Sequence, residues 1–320
     1  MSSAPQIFQY IAFAEDVLLG LTAKNKYIPS KYFYDDQGSH IFQEIMNMPE
    51  YYPTNCEFEI LSQQSGEILE RLQFTGPFNI VEFGSGDGMK TKQLLQTFLY
   101  KKADFTYVPI DISEEAISIL EETIRATIPE IKMNSKVGDY FDILHELSKE
   151  NIPNLFLFLG GNIGNYNKEE AFDLLSKFAA GMKKGDKLLL GIDLQKSPRV
   201  IQKAYDDPHG ITKAFNINLL RRVNRELGAN IALDQFDFYC HYNPENGEVK
   251  SYLYSLVKQH VYSGVLDTTF TFEKDEMIWT ELSKKYNFED IESLAGSLNF
   301  KVVHHFLDCK HYFTDSLWEK

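Results

Sequence analysis

From Phe78 to about Asp193, short apolar runs alternate with stretches whose apolar residues recur at helical spacing, the pattern of stacked βαβ units on a mostly parallel sheet. The runs predicted as strands are Phe78–Phe83, Phe105–Ile110, Ile131–Val137, Leu155–Leu159 and Lys187–Ile192, most of them largely apolar, as expected where helices cover both faces. The helix after Gly88 gathers Leu94, Leu95, Phe98 and Leu99 on one face. Ser113 stands as an N-cap ahead of Glu114 and Glu115, and Asn167 with Glu170 has the spacing of a capping box. After Ser197-Pro198 the alternation stops. Ile211 to Leu227 reads as a polar-rich helix, and Val249–Tyr262 and Leu266–Phe272 read as antiparallel strands. The tail (Ile291–Leu298, Phe300–Leu307, His311–Phe313) reads helix, strand, strand and predicts an antiparallel edge pair returning to the core sheet. Residues before about Cys56 fit no core strand. The expected division is an α/β core of residues 57–195 and 287–320, with 1–56 and 196–286 forming an inserted α+β lobe.

Composition narrows the partners. With 43% hydrophobic residues the chain can bury a substantial core. A formal net charge of −14 opposes binding along a phosphate backbone, and the basic pairs Lys101-Lys102, Lys183-Lys184, Arg221-Arg222 and Lys284-Lys285 are too scattered to form a stripe. No nucleic-acid partner is expected. No run approaches the roughly 18 apolar residues of a membrane span, and the N-terminus lacks a secretory pattern, so a cytoplasmic location with no membrane partner is the expectation. Cys56, Cys240 and Cys309 are far apart and odd in number, which suggests free thiols and no metal centre.

The chemistry begins at Glu82-Phe83-Gly84-Ser85-Gly86-Asp87-Gly88, a glycine-rich turn directly after a strand and before an amphipathic helix. Such a turn lets backbone approach a ligand closely and aims helix N–H groups at it. The dinucleotide fingerprint requires glycine at its sixth place, where this chain has Met89, and this disfavours a nicotinamide oxidoreductase. Glu82, Gly84, Gly86 and Gly88 instead resemble the loop of class I methyltransferases, which implies glycines packed against the methionyl part of S-adenosylmethionine. Asp111 ends the next strand, where a carboxylate can accept both ribose hydroxyls; it can also cap the helix that begins near Ser113. The same resemblance sets Asp139 beside the adenine amino group and Tyr140 along its face, although Asp139 also suits a helix N-cap. Lys90 completes the candidate cofactor contacts. Leu159-Gly160-Gly161-Asn162-Ile163-Gly164-Asn165-Tyr166 forms a second glycine-rich edge at the carboxyl end of a central strand. The Asn/Asp-Pro-Pro-Tyr and Pro-Cys motifs of base methylation are absent.

Longer segments carry a narrower resemblance. Lys31-Tyr32-Phe33-Tyr34-Asp35-Asp36-Gln37-Gly38-Ser39, Met48-Pro49-Glu50-Tyr51-Tyr52-Pro53-Thr54, Leu159–Asn165, Ala204-Tyr205-Asp206-Asp207, the stretch from Ala214 to Ala229, and Thr280-Glu281-Leu282-Ser283-Lys284-Lys285-Tyr286 resemble, in order, the L-histidine Nα-methyltransferases of ergothioneine biosynthesis. The resemblance implies a class I (Rossmann-like) core with a substrate lobe. It further implies methylation of the α-amino group of L-histidine, up to the trimethyl betaine hercynine, using S-adenosylmethionine on a small-molecule amino acid; a monomer is the expectation. Residues matching Asn165, Tyr205 and Tyr34 hold the substrate's carboxylate and amine. Those matching Glu281 and Ser283 read the imidazole, with Tyr51 nearby. Glu281 and Ser283, two apart, would share one side of a strand, and an acceptor facing the imidazole N–H would be selective. Tyr34 or a water is the candidate for receiving the amine proton.

Two departures bear on the acceptor. Asn162 replaces a hydroxyl residue of the family, and Ser251 stands where members commonly carry methionine against the side-chain pocket. A smaller, polar residue there could admit another acceptor, such as an aromatic amino acid. A non-catalytic S-adenosylmethionine-binding regulator is the alternative of a different class, which the intact set of pocket residues disfavours.

Overall fold

The computed structural model describes residues 4–84, 86 and 88–320, with side chains from Tyr10 onward. In chain order the elements are α1 (Ala4–Thr22), β1 (Lys26–Tyr27), α2 (Asp36–Met46), α3 (Tyr52–Leu72), β2 (Phe78–Phe83), α4 (Thr91–Tyr100), β3 (Phe105–Asp111), α5 (Glu114–Thr127) and β4 (Lys136–Val137). Then come α6 (Tyr140–Leu147), β5 (Asn154–Phe158), α7 (Lys168–Gly181), β6 (Lys187–Asp193), α8 (Pro198–Tyr205) and α9 (Ile211–Leu227). The rest are β7 (Phe236–Asn243), β8 (Glu248–Ser255), β9 (Gln259–Ser263), β10 (Thr268–Phe272), β11 (Met277–Lys284), α10 (Phe288–Ser297), β12 (Lys301–Leu307) and β13 (Phe313–Glu319). No helix among the described residues is long and apolar enough to cross a membrane.

Two compact units result: Met1–Tyr52 with Lys196–Ser283, and Pro53–Gln195 with Lys284–Lys320. The second breaks fall at 52/53 and 283/284, where the sequence suggested 56/57 and 286/287. Lys284 to Tyr286 belong with the core because Lys285 Nζ reaches Asp193 Oδ2 at 2.8 Å and the Tyr286 N–H donates to the Asp193 carbonyl at 3.0 Å.

The unit holding the glycine loop is built on a seven-stranded sheet in the order β12-β13-β6-β5-β2-β3-β4. β4, β3, β2, β5 and β6 are parallel; β13 joins β6, and β12 joins β13, in antiparallel fashion. This is the α/β, Rossmann-like core expected from the sequence. β2, β5 and β6 are buried throughout, which is why they read as continuous apolar runs. Leu94, Leu95 and Phe98 bury their side chains, and the Ser113 cap and the Asn167–Glu170 capping box both form. The sheet changes direction of growth at β2, with β3 on one side and β5 on the other, and the crevice at such a switch point is where open α/β sheets bind ligands.

Two expectations fail here for polar reasons. The strand over Ile131–Val137 shrinks to Lys136–Val137 plus an isolated bridge between Tyr107 and Met133, because this edge segment carries the exposed polar residues Lys132 and Asn134. The strand over His311–Phe313 is displaced to Phe313–Glu319. Asp308 closes 308–312 into a turn, its carboxylate accepting the N–H groups of Lys310, Tyr312 and Phe313 at 2.9, 2.7 and 2.8 Å. The strand itself begins with buried Thr314, Asp315 and Ser316, which hide it from a hydrophobic pattern.

The other unit packs α1, α2 and α9 on the sheet β1-β11-β8-β7, with the hairpin β10-β9 beside its own sheet partner strand. Phe13, Ile41, Phe215, Leu219, Leu253 and Phe272 are among its core residues. Val249–Tyr262, expected as one strand, is two, β8 and β9, because the chain turns after Ser255, whose hydroxyl donates to the Val257 carbonyl at 2.7 Å. Asp35 ties the N-terminal helices to α9. Its Oδ1 accepts from the Gly38 N–H and from Asn218 Nδ2, both at 2.7 Å, and its Oδ2 from Arg225 Nη2 at 2.6 Å.

Burial alone would raise the Asp35 pKa, but Arg225, the Gly38 N–H and Asn218 outweigh it and leave the carboxyl below its ordinary 3.8. Asp35→Ala is therefore expected to cost about 1–2 kcal/mol at pH 7 through loss of the cap alone. A depressed folded pKa means the contribution is complete above the unfolded value and disappears as pH falls through the lower folded one. Urea unfolding across pH should show the gap between variant and wild type closing in acid.

Candidate active site

The glycine loop leaves β2 with Gly84, Gly86 and Gly88 at φ of 67°, 55° and 69°, the left-handed region that favours glycine. Ser85 and Asp87 lie outside the described residues. A Cβ at Gly86 would meet nothing within 4 Å, and one at Gly84 would stand 3.4 Å from the Tyr140 hydroxyl. These two glycines form an open, backbone-lined cradle, which fits a ligand that must lie against main chain. Gly88 serves packing instead, since a Cβ there would come 2.7 Å from Leu120 Cδ1.

Glu82 points inward. Its carboxylate is buried and accepts short hydrogen bonds from the Thr91 and Tyr107 hydroxyls. Burial pushes its pKa up to about 7 against the lowering effect of those two donors. The residue thus secures the end of β2 against α4 and β3. Asp111 is partly exposed, with Oδ1 accepting the Ser113 N–H at 2.9 Å, so it caps the turn and still presents carboxylate to solvent. Tyr140 sets its ring edge-on to Phe83 at 5.4 Å, and burial, then the Asp111 charge, push its phenol up to about 12. Gly84, Asp111 and Tyr140 are therefore neighbours. Asp139 is exposed and caps α6, its Oδ1 accepting from the N–H groups of Phe141 and Asp142 at 2.8 and 3.3 Å. Lys90 opens α4 with its ammonium on the fully buried Glu57. Glu57, Thr91 and Tyr107 are absent from the residues expected by sequence, because a carboxylate on a helix or a hydroxyl in a strand carries no signal until its partners are in place.

Asn165 ends the short helical turn Asn162–Asn165 that follows β5, and it is exposed. Asn162, the departure from the family pattern, folds back so that Nδ2 donates to the Leu159 carbonyl at 2.9 Å. Gly164 is required by packing, as a Cβ would stand 2.7 Å from the Lys284 carbonyl oxygen.

In the other unit the predicted substrate residues form a chain of contacts. Tyr34 meets Phe42 edge-on at 5.4 Å, Phe42 meets Tyr51 at 6.2 Å, and Tyr51 meets Tyr205 at 6.1 Å. The hydroxyls of Tyr205 and Ser283 lie 3.0 Å apart, both residues being buried. Glu281 and Ser283 sit two apart on β11, and the Glu281 charge is felt at Tyr34. Tyr34 has 49% of its surface exposed, yet protein atoms around the hydroxyl desolvate it; that, then Glu281, raises its pKa well above the ordinary 10. At neutral pH Tyr34 is a hydrogen-bond donor and a poor proton acceptor. Ser251 is only 1% exposed, and its carbonyl accepts from Thr280 Oγ1 at 3.0 Å, which seats it in the sheet next to the strand bearing Glu281.

The family described as histidine-specific, SAM-dependent methyltransferase matches residues 13–320. The histidine N-alpha-methyltransferase of Mycobacterium tuberculosis (strain CDC 1551 / Oshkosh) is 35% identical over 277 residues, 87% of this chain and 85% of that one. The ergothioneine biosynthesis protein 1 of Schizosaccharomyces pombe is 30% identical over 284 residues, 86% of this chain but 36% of that protein. The L-tryptophan methyltransferase trpM of Psilocybe serbica is 28% identical over 295 residues, 84% of this chain and 82% of that one. With the class I sheet, the open glycine cradle and a match over nearly its whole length, the chain belongs to the histidine-specific, S-adenosylmethionine-dependent methyltransferase family.

Proposed function

We propose that the protein methylates the α-amino group of L-histidine, up to the trimethyl betaine. The observation that supports this most is the cluster in one unit of Tyr34, Tyr51, Tyr205 and Ser283 with Glu281, the residue types an imidazole-bearing amino acid needs. Bound S-adenosylmethionine would supply an already activated methyl group, with Gly84, Gly86, Asp111, Tyr140, Asp139 and Lys90 as its holders. Phenols can donate to a substrate carboxylate, while Glu281 accepts from an imidazole N–H. The protein's remaining task is placement, holding the amine lone pair in line with the transferred methyl.

The amine must arrive neutral. With its phenol held protonated, Tyr34 serves as a donor that orients the substrate, and the proton leaves to water. Tyr34→Phe should therefore lower kcat/KM for histidine about tenfold, the worth of one hydrogen bond to a charged group, mainly through KM. The rise of kcat/KM with pH should persist. Disappearance of that rise would make Tyr34 the base.

Ser251 and the similarity to an L-tryptophan methyltransferase favour one second reading, an aromatic amino acid as acceptor. A panel of amino acids, followed by S-adenosylhomocysteine release, separates the two. Histidine is expected to turn over best, and Glu281→Ala should cut kcat/KM for histidine by about tenfold to a hundredfold, matching 1–3 kcal/mol for an unpaired polar group. Tryptophan or tyrosine turning over with no histidine activity would overturn the assignment.

A further inference from the structure

The unit bearing the glycine loop encloses a carboxyl pair that methyl transfer leaves unexplained. Glu57 of α3 is fully buried. Its Oε1 accepts the Gly160 N–H at 2.6 Å, at the head of the turn leading to Asn165, and its Oε2 meets the Lys90 ammonium. Gly191 of β6 makes the room, for a Cβ there would lie 2.3 Å from Glu57 Oε1. Directly across the antiparallel ladder from Gly191 stands Asp315 of β13.

Asp315 is 0% exposed, and among the described residues neither of its carboxyl oxygens has a hydrogen-bond donor. An ionised carboxylate in that position would be stripped of water with nothing in exchange. The Glu57 carboxylate lies against Gly191, the residue that Asp315 faces across the ladder, and two carboxyl groups brought together share a hydrogen bond only when one carries a proton. Glu57 already spends both oxygens on Gly160 and Lys90 as an acceptor, which assigns the proton to Asp315. Burial, then the Glu57 charge, raise the Asp315 pKa well above the carboxylate range, against the lowering effect of Lys90.

We propose that Asp315 is a neutral carboxylic acid donating its O–H to Glu57, and that this pair positions Lys90 beside the cofactor loop and Gly160 at the head of the Asn165 turn. One buried negative charge thereby braces two ligand-facing segments. Glu57 and Asp315 are positioning residues, acting through Lys90 and the Gly160 backbone. The ligand roles of Lys90 and Asn165 rest on the functional reading above, whereas the protonation of Asp315 does not.

The test uses the full chain and two readouts. Infrared difference spectroscopy, wild type minus Asp315→Asn, should find a protonated-carboxyl C=O band belonging to Asp315, the contribution of the buried Glu82 being common to both proteins and cancelling. Calorimetry with S-adenosylmethionine should show binding weakened about tenfold in Glu57→Gln and Asp315→Ala, the worth of a charged hydrogen bond, but restored to within about threefold of wild type in Asp315→Asn, whose amide keeps a donor toward Glu57. A difference spectrum without the band, or an asparagine variant as weak as the alanine one, would overturn the proposal. Should Glu57→Gln not fold, the asparagine and alanine variants still decide. Neither readout needs turnover, so failure of histidine methylation would count against the functional reading alone.

Discussion

The hydrogen bonds that the buried Glu82 carboxylate accepts from Thr91 and Tyr107 hold together the part of the fold on which cofactor binding depends. They tie the end of β2 to the first turn of α4 and to β3, the segments between which the chain must pass through three left-handed glycines. A loop of that kind gains little from its own contacts, since glycine has no side chain to pack and loses more backbone entropy than other residues on ordering. Its shape is imposed from below, by a carboxyl group whose burial is offset by two hydroxyl donors. The same logic recurs at Glu57, where one buried carboxylate takes the Gly160 N–H and the Lys90 ammonium. Acidic residues beneath the sheet's carboxyl edge thus act as fasteners for the backbone above them.

The substrate residues rest on a different device. Tyr34, Tyr51 and Tyr205 are linked through aromatic contacts that include Phe42, and Phe215 of α9 packs against Tyr34 and Phe33. Large rings with few torsions keep polar tips in fixed positions at small entropic cost. Asp35, next to Tyr34, clamps this segment to α9 through Asn218 and Arg225. The desolvation that keeps Tyr34 a phenol suits recognition of an anionic group better than proton abstraction.

What the sequence made legible follows from which interactions are local. β2, β5 and β6 were readable because both faces are apolar, and the caps at Ser113 and Asn167 because their partners lie within one turn. β13 was misplaced because Thr314, Asp315 and Ser316 are polar yet buried, so that a hydrophobic pattern passes over the start of the strand. Within the candidate site, Gly84 and Asp111 were proposed from spacing, and Tyr140, Tyr205, Glu281 and Ser283 from resemblance. Asp139 and Asp111 turned out to have capping duties as well as exposure. Glu57 and Asp315 were invisible, because a buried carboxyl pair joins a helix and a strand that nothing in the linear order connects.

Transfer to the α-nitrogen of histidine is most directly tested by where the methyl carbon ends up. With S-adenosylmethionine carrying a ¹³C-methyl group and L-histidine as acceptor, nuclear magnetic resonance of the product should show every transferred methyl on the α-nitrogen and none on the imidazole. Label on a ring nitrogen, or no labelled histidine while another amino acid accepts the methyl, would contradict it.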